Sequence, residues 1–160
     1  MKKLMQSIFA ALLCAGMAIT APAQEADTQV TQKLGEKIAQ EIKNEQAGDK
    51  PLSSAEFNKK LAEKMRAHLG EIRQGSTASC IRLYGDEKSG NCQCVTDKTD
   101  FEAAFALLEK YSTHSESEIQ DDIRALEQKN EETYKACHLD YDMAKRASRE
   151  AMKKMAPTEK

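Results

Sequence analysis

Four cysteines, Cys80, Cys92, Cys94 and Cys137, with His138 beside the last, are the residues of this chain best suited to chemistry. A Cys-x-Cys pair with a Cys-His pair elsewhere has the donor types for Zn²⁺ or Cu⁺. The same sulfurs could also exchange electrons as thiols. There is no Cys-x-x-Cys, the commoner oxidoreductase spacing, and no Cys-x-x-Cys-His for covalent haem. Which chemistry holds depends on the compartment.

The first 23 residues read as a cleaved signal peptide. Lys2 and Lys3 form a positive start, and an apolar run follows from Ile8 to Ile19. Ala21-Pro22-Ala23 then offers small residues to a signal peptidase, with cleavage expected after Ala23. The run is too short for a comfortable membrane span. A fifth cysteine, Cys14, leaves with this leader; Leu13 before it is a poor lipoprotein signal. Export, to the periplasm or beyond, places the remaining chain in an oxidising compartment. There four cysteines read as two structural disulfides, with no resident metal or cofactor. Pairing Cys92 with Cys94 would close a very tight ring. Two pairings stay open: Cys80–Cys92 with Cys94–Cys137, or Cys80–Cys94 with Cys92–Cys137.

Other chemistry finds little support. His68 borders the core at helical spacing from Met65 and Ile72, His114 lies in a polar turn, and His138 flanks a bridge. No two histidines show metal-ligand spacing. The chain has no Gly-x-Ser-x-Gly, no phosphate-binding Gly-rich loop, no His-Glu-x-x-His and no calcium loop. Adjacent acids such as Asp121-Asp122 and Glu131-Glu132 diverge by ~100° on a helix and read as a solvated face. A net charge of −2 disfavours general nucleic-acid binding, which needs a basic surface.

The elements that must position the cysteines read as one mainly α-helical domain over residues 24–160, with four helices. Val30, Leu34, Ile38 and Ile42 make one stripe of a first helix, about 28–46. Ser53 and Glu56 form a capping box and Leu52 and Phe57 a hydrophobic staple for the second. Phe57, Leu61, Met65, Leu69 and Ile72 give its inner face and Gly75 its end. Residues 76–98, with a Gly/Asp/Ser/Asn-rich turn at 85–91, read as a disulfide-linked loop or hairpin. In an extended strand Cys92 and Cys94 share a face. Thr99 and Glu102 cap a third helix with Phe101, Phe105, Leu108 and Tyr111 inward.

Ser115 and Glu118 open the last helix, with Ile119, Ile123, Leu126, Tyr134, Cys137 and Tyr141 inward. Run on to Met155 it would be about 55–60 Å long. A domain of this size is nearer ~35–40 Å across. The helix therefore breaks, or its end projects as a basic tail over 143–160. Acidic residues crowd its start, while Lys145, Arg146, Arg149, Lys153 and Lys154 crowd its end. That order suits the helix dipole. It also fits weak contact with an anionic envelope surface or an acidic partner.

The expected function is that of an exported, non-enzymatic helical protein that binds another protein or itself as an envelope accessory factor. A metal-handling or thiol-redox protein using Cys92, Cys94, Cys137 and His138 is the alternative. A small inhibitor of an envelope or host hydrolase, presenting Tyr84 and Asp86 on the loop 81–91, is a third.

Overall fold

In the computed structural model the described residues are 25–45, 52–111 and 113–155, with the side chains of 25–32, 116 and 152–155 set aside. The segment expected to be a leader, the expected cleavage site and Val30's side chain therefore lie outside the description. Among the described residues there are seven α-helices and no strand. They are α1 (Glu25–Asn44), α2 (Ser54–Ala67), α3 (Leu69–Tyr84), α4 (Ser89–Lys98), α5 (Phe101–Lys110), α6 (Glu116–Ala136) and α7 (Tyr141–Met155), with a 3₁₀ turn at Asp86–Lys88. The mainly helical expectation holds. The four elements and the hairpin do not.

α1 follows its stripe. Leu34, Ile38 and Ile42 are buried against Leu52, Leu61, Met65 and Ile72. α2 starts at the expected capping box: Glu56 N–H donates to Ser53 Oγ at 3.3 Å, and Ser53 N–H to Glu56 Oε2 at 2.9 Å. The staple is absent. Leu52 packs under α1, and Phe57 is left 40% exposed. The helix also ends early, at His68 rather than Gly75. Gly75 is buried within α3, which continues to Tyr84.

The segment read as a hairpin is helical because its apolar residues satisfy helical neighbours. α3 closes at Gly85, whose φ of +96° suits a residue without Cβ. The 3₁₀ turn then feeds α4 directly. Residues two apart on a helix point ~200° apart. So Cys92 and Cys94 face opposite sides rather than sharing one. Cys92 bonds back to Cys80 in α3, and Cys94 bonds to Cys137 at the end of α6. The pairing left open by the sequence is thus Cys80–Cys92 with Cys94–Cys137.

α5 is capped by Asp100, not Thr99. Asp100 Oδ1 accepts Ala103 N–H at 2.9 Å, while the Thr99 hydroxyl donates back to Val95 O. Phe101, Phe105 and Leu108 bury themselves with Ala62 of α2. Arg66 of α2 seals the edge: Nε donates to both Glu102 oxygens at 2.9 Å and Nη1 to Glu109 at 2.6 Å, with the guanidinium over the Phe105 ring.

The long last helix breaks. α6 ends at Ala136, and His138 adopts φ +58°, the left-handed turn that ends many helices. α7 folds back beside α6, with Tyr134 and Tyr141 ring centroids 5.4 Å apart and Lys145 Nζ 3.6 Å from Glu127. Ala144, Ser148 and Ala151 are buried, so through Ala151 this helix does not project. Residues 156–160 lie outside the description. Among the described residues the core comprises four small apolar clusters, and the cystine-bearing one gathers Cys80, Cys92, Val95, Tyr134, Leu139 and Tyr141.

Candidate interaction surface

The two disulfides hold helices together. α4 is a wedge bonded on one side to α3 and on the other to α6. Cys92 and Cys137 are 0% and 2% exposed, so solvent reaches neither. Asn91 Nδ2 donates to Cys137 O at 2.8 Å, and the Tyr84 hydroxyl donates to Asp140 O. Both bonds pin the α6–α7 corner onto the disulfide-bonded helices. With every sulfur of the set in a bridge, thiol or metal chemistry there would first need a reductant. Among the described residues no group of three His, Cys, Asp or Glu is placed to hold a metal. His138 is exposed beside the Cys94–Cys137 bridge, and His114 is exposed in the α5–α6 turn.

The residues of the loop 81–91 are separated by burial. Ile81, Leu83 and Tyr84 pack against the cystine cluster. Asp86 to Gly90 are exposed on the 3₁₀ turn and the start of α4. Tyr84 and Asp86 therefore do not form one presented loop.

The basic residues of α7 also divide. Lys145 is committed to Glu127 and lies 5.9 Å from the Tyr141 ring centroid. Arg146 and Arg149 are exposed, in company with exposed Asp142 and Glu150. The side chains of Lys153 and Lys154 are outside the description.

Among the described residues a concave feature lies elsewhere, between α5 and α6. These helices run antiparallel, because Lys110 meets Asp122 at 2.7 Å and Lys129 meets Asp100 at 2.6 Å. Ala103, Ala106, Leu107 and Lys110 face the groove from α5, and Asp122, Ala125, Leu126 and Lys129 face it from α6. Each set follows i, i+3, i+4, i+7, which is one stripe of a helix about two turns long. The cavity measures about 350 Å³. It exists because Ala103, Ala106 and Ala125 are too small to fill the space that Ile119, Leu107 and Leu126 close deeper down.

Each end of the groove is ionic. The Lys129 ammonium, and then the Ala103 N–H, hold the Asp100 carboxyl below its ordinary range. Asp100 thereby spends one oxygen on the helix cap and the other on Lys129. Each lysine ammonium carries three N–H and gives one to its aspartate, so two N–H at each end are left for a further acceptor. The sequence reading followed α5 by its larger apolar residues and took Asp121-Asp122 as a solvated face. The repeated spacing of the two stripes was present in the sequence, but alanine carries too weak a hydrophobic signal to mark it.

Compared with protein-family models, with curated proteins and with solved structures, the chain has no match in any of the three.

Proposed function

We propose that this chain is an exported, non-enzymatic interaction protein, and that the α5–α6 groove receives an acidic amphipathic helix of a partner protein. The groove carries the reading. Two helical stripes at matched spacing form a floor of alanine and leucine, with a lysine at each end. A helix laid in an apolar groove between two others anchors through residues at i, i+3, i+4 and i+7. Small side chains let its backbone approach closely, and carboxylates on its flanks would take the remaining N–H groups of Lys110 and Lys129. Export is supported by the leader pattern and by two disulfides, which persist in oxidising compartments. No described helix is long and apolar enough to cross a membrane.

A photo-crosslinking residue at Ala106, with Gln74 on exposed α3 as the control site, tests this in cells that export the protein. The reading expects an adduct at Ala106 that maps to an acidic helical segment of one protein, is missing at Gln74 and disappears when Ala125→Trp fills the groove. Adducts equal at both sites, or mapping to another copy of this chain, would overturn it.

A further inference from the structure

The two walls of the α5–α6 groove carry the same short pattern. Ala106-Leu107-x-x-Lys110 lies on α5, and Ala125-Leu126-x-x-Lys129 lies on α6. The Lys110–Asp122 and Lys129–Asp100 ion pairs stand at opposite ends of the groove. Antiparallel helices that carry one pattern are related by a local two-fold, whose axis passes between Ala106 and Ala125. Each half of the groove therefore repeats the other. Leu107 and Leu126 are buried, Ala106 is half-buried and Ala125 is exposed, so alanine forms the mouth and leucine the floor. A lysine closes each end, one from each wall.

The acidic groups beside these lysines are already engaged. Asp100 gives one oxygen to Ala103 N–H and the other to Lys129. Asp122 meets Lys110 through Oδ2. Glu109 is held by Arg66, and Glu127 lies 3.6 Å from Lys145. The Lys110 and Lys129 side chains are about half exposed, and each ammonium keeps two N–H for an acceptor from outside.

Taking the groove as the site of an acidic helix, we infer that it selects that helix by spacing: an acidic residue at i and at i+7, with large aliphatic residues at i+3 and i+4. These four positions form one stripe. Seven residues of helix span about 10.5 Å, the same length as the groove stripe from Ala103 to Lys110. Acids at i and i+7 each meet one lysine, as charge-assisted hydrogen bonds. The two central residues fall where alanine leaves the groove open. A cavity of ~150 Å³ takes one benzene-sized group. The groove, at about 350 Å³, has room for two large side chains. The two-fold makes its ends equivalent, so a helix with one acid leaves one lysine unmet.

Fluorescence anisotropy of the full, disulfide-bonded chain with labelled helical peptides of about 20 residues reads the spacing. The reference peptide carries Glu-x-x-Leu-Leu-x-x-Glu, with alanine and glutamine elsewhere. Glutamine in place of either glutamate should weaken binding about two- to fivefold, and equally at the two ends. Alanine in place of both leucines should weaken it more than about tenfold. In Lys110→Gln the reference peptide should bind about two- to fivefold more weakly, and loss of one of its glutamates should then cost nothing further. Suppose the reference peptide binds, Ala125→Trp abolishes that binding, and moving both glutamates to the opposite face changes nothing. The spacing is then overturned and the groove still receives a helix. A loss confined to one glutamate overturns the spacing in the same way. No binding of the reference peptide below about 1 mM, or binding that Ala125→Trp leaves unchanged, would overturn both the spacing and the groove as a helix site.

Discussion

Cys92 and Cys94 stand two residues apart on α4 and are bonded to opposite neighbours, Cys80 of α3 and Cys137 at the end of α6. One short helix thereby joins the two halves of the chain covalently, with Val95 and Cys92 buried in the seam. The bridges differ in reach, with sequence separations of 12 and 43. Loop entropy assigns about 3 kcal/mol to the shorter and about 4 kcal/mol to the longer. Cys94→Ser with Cys137→Ser should lower the stability read by urea unfolding by more than Cys80→Ser with Cys92→Ser does. Equal losses would mean that loop closure does not govern the difference.

Phe105 and Phe57 were both placed on inner faces by helical period, yet they end in different surroundings. Phe105 is fully buried and Phe57 is 40% exposed. Phe105→Ala should cost about 3–5 kcal/mol. Phe57→Ala should change stability by less than about 1 kcal/mol. Chemical denaturation of the two variants side by side checks this.

That contrast shows what was legible in the sequence. Period placed Leu34, Ile38, Phe105, Ile119 and Tyr134 inside, because each repeats along a helix that forms where local spacing says it should. It put Phe57 inside as well, wrongly, because Leu52 packs under α1, a long-range outcome. The Ser53–Glu56 cap is local and was readable. The segment 76–98 was not: its turn residues Gly85-Asp86-Glu87-Lys88 mark a reversal between helices as well as between strands. The bridges from Cys92 and Cys94 to opposite neighbours fit the helix and not the strand. The groove was unreadable for a related reason, since it consists of what Ala103, Ala106 and Ala125 leave unfilled.

His138 holds a left-handed backbone at φ +58° with its side chain exposed. A non-glycine residue there carries about 1–2 kcal/mol of steric cost. His138→Gly should keep or raise the thermal midpoint, and His138→Val should lower it. A drop on His138→Gly would show that the imidazole contributes to the α6–α7 corner.

Asp100 does two things that substitution separates. It caps α5 through Ala103 N–H, and its charge meets Lys129. Its carboxyl is held below the ordinary range, so the charge contributes above that range and is lost as pH falls through the lowered value. Asp100→Asn keeps a good cap and should flatten part of the acid limb of stability against pH. Asp100→Ala should flatten the same limb and cost about 1 kcal/mol more.

Intact mass of protein exported behind its own N-terminal segment, alkylated before any reduction, tests directly whether Cys80, Cys92, Cys94 and Cys137 are structural. The prediction is a mature chain begun after Ala23, four hydrogens lighter than the thiol form, with no alkyl group and no metal attached. Alkylated cysteines, or a metal retained in native spray and lost on denaturation, would contradict it and make Cys92, Cys94, Cys137 and His138 the site to pursue.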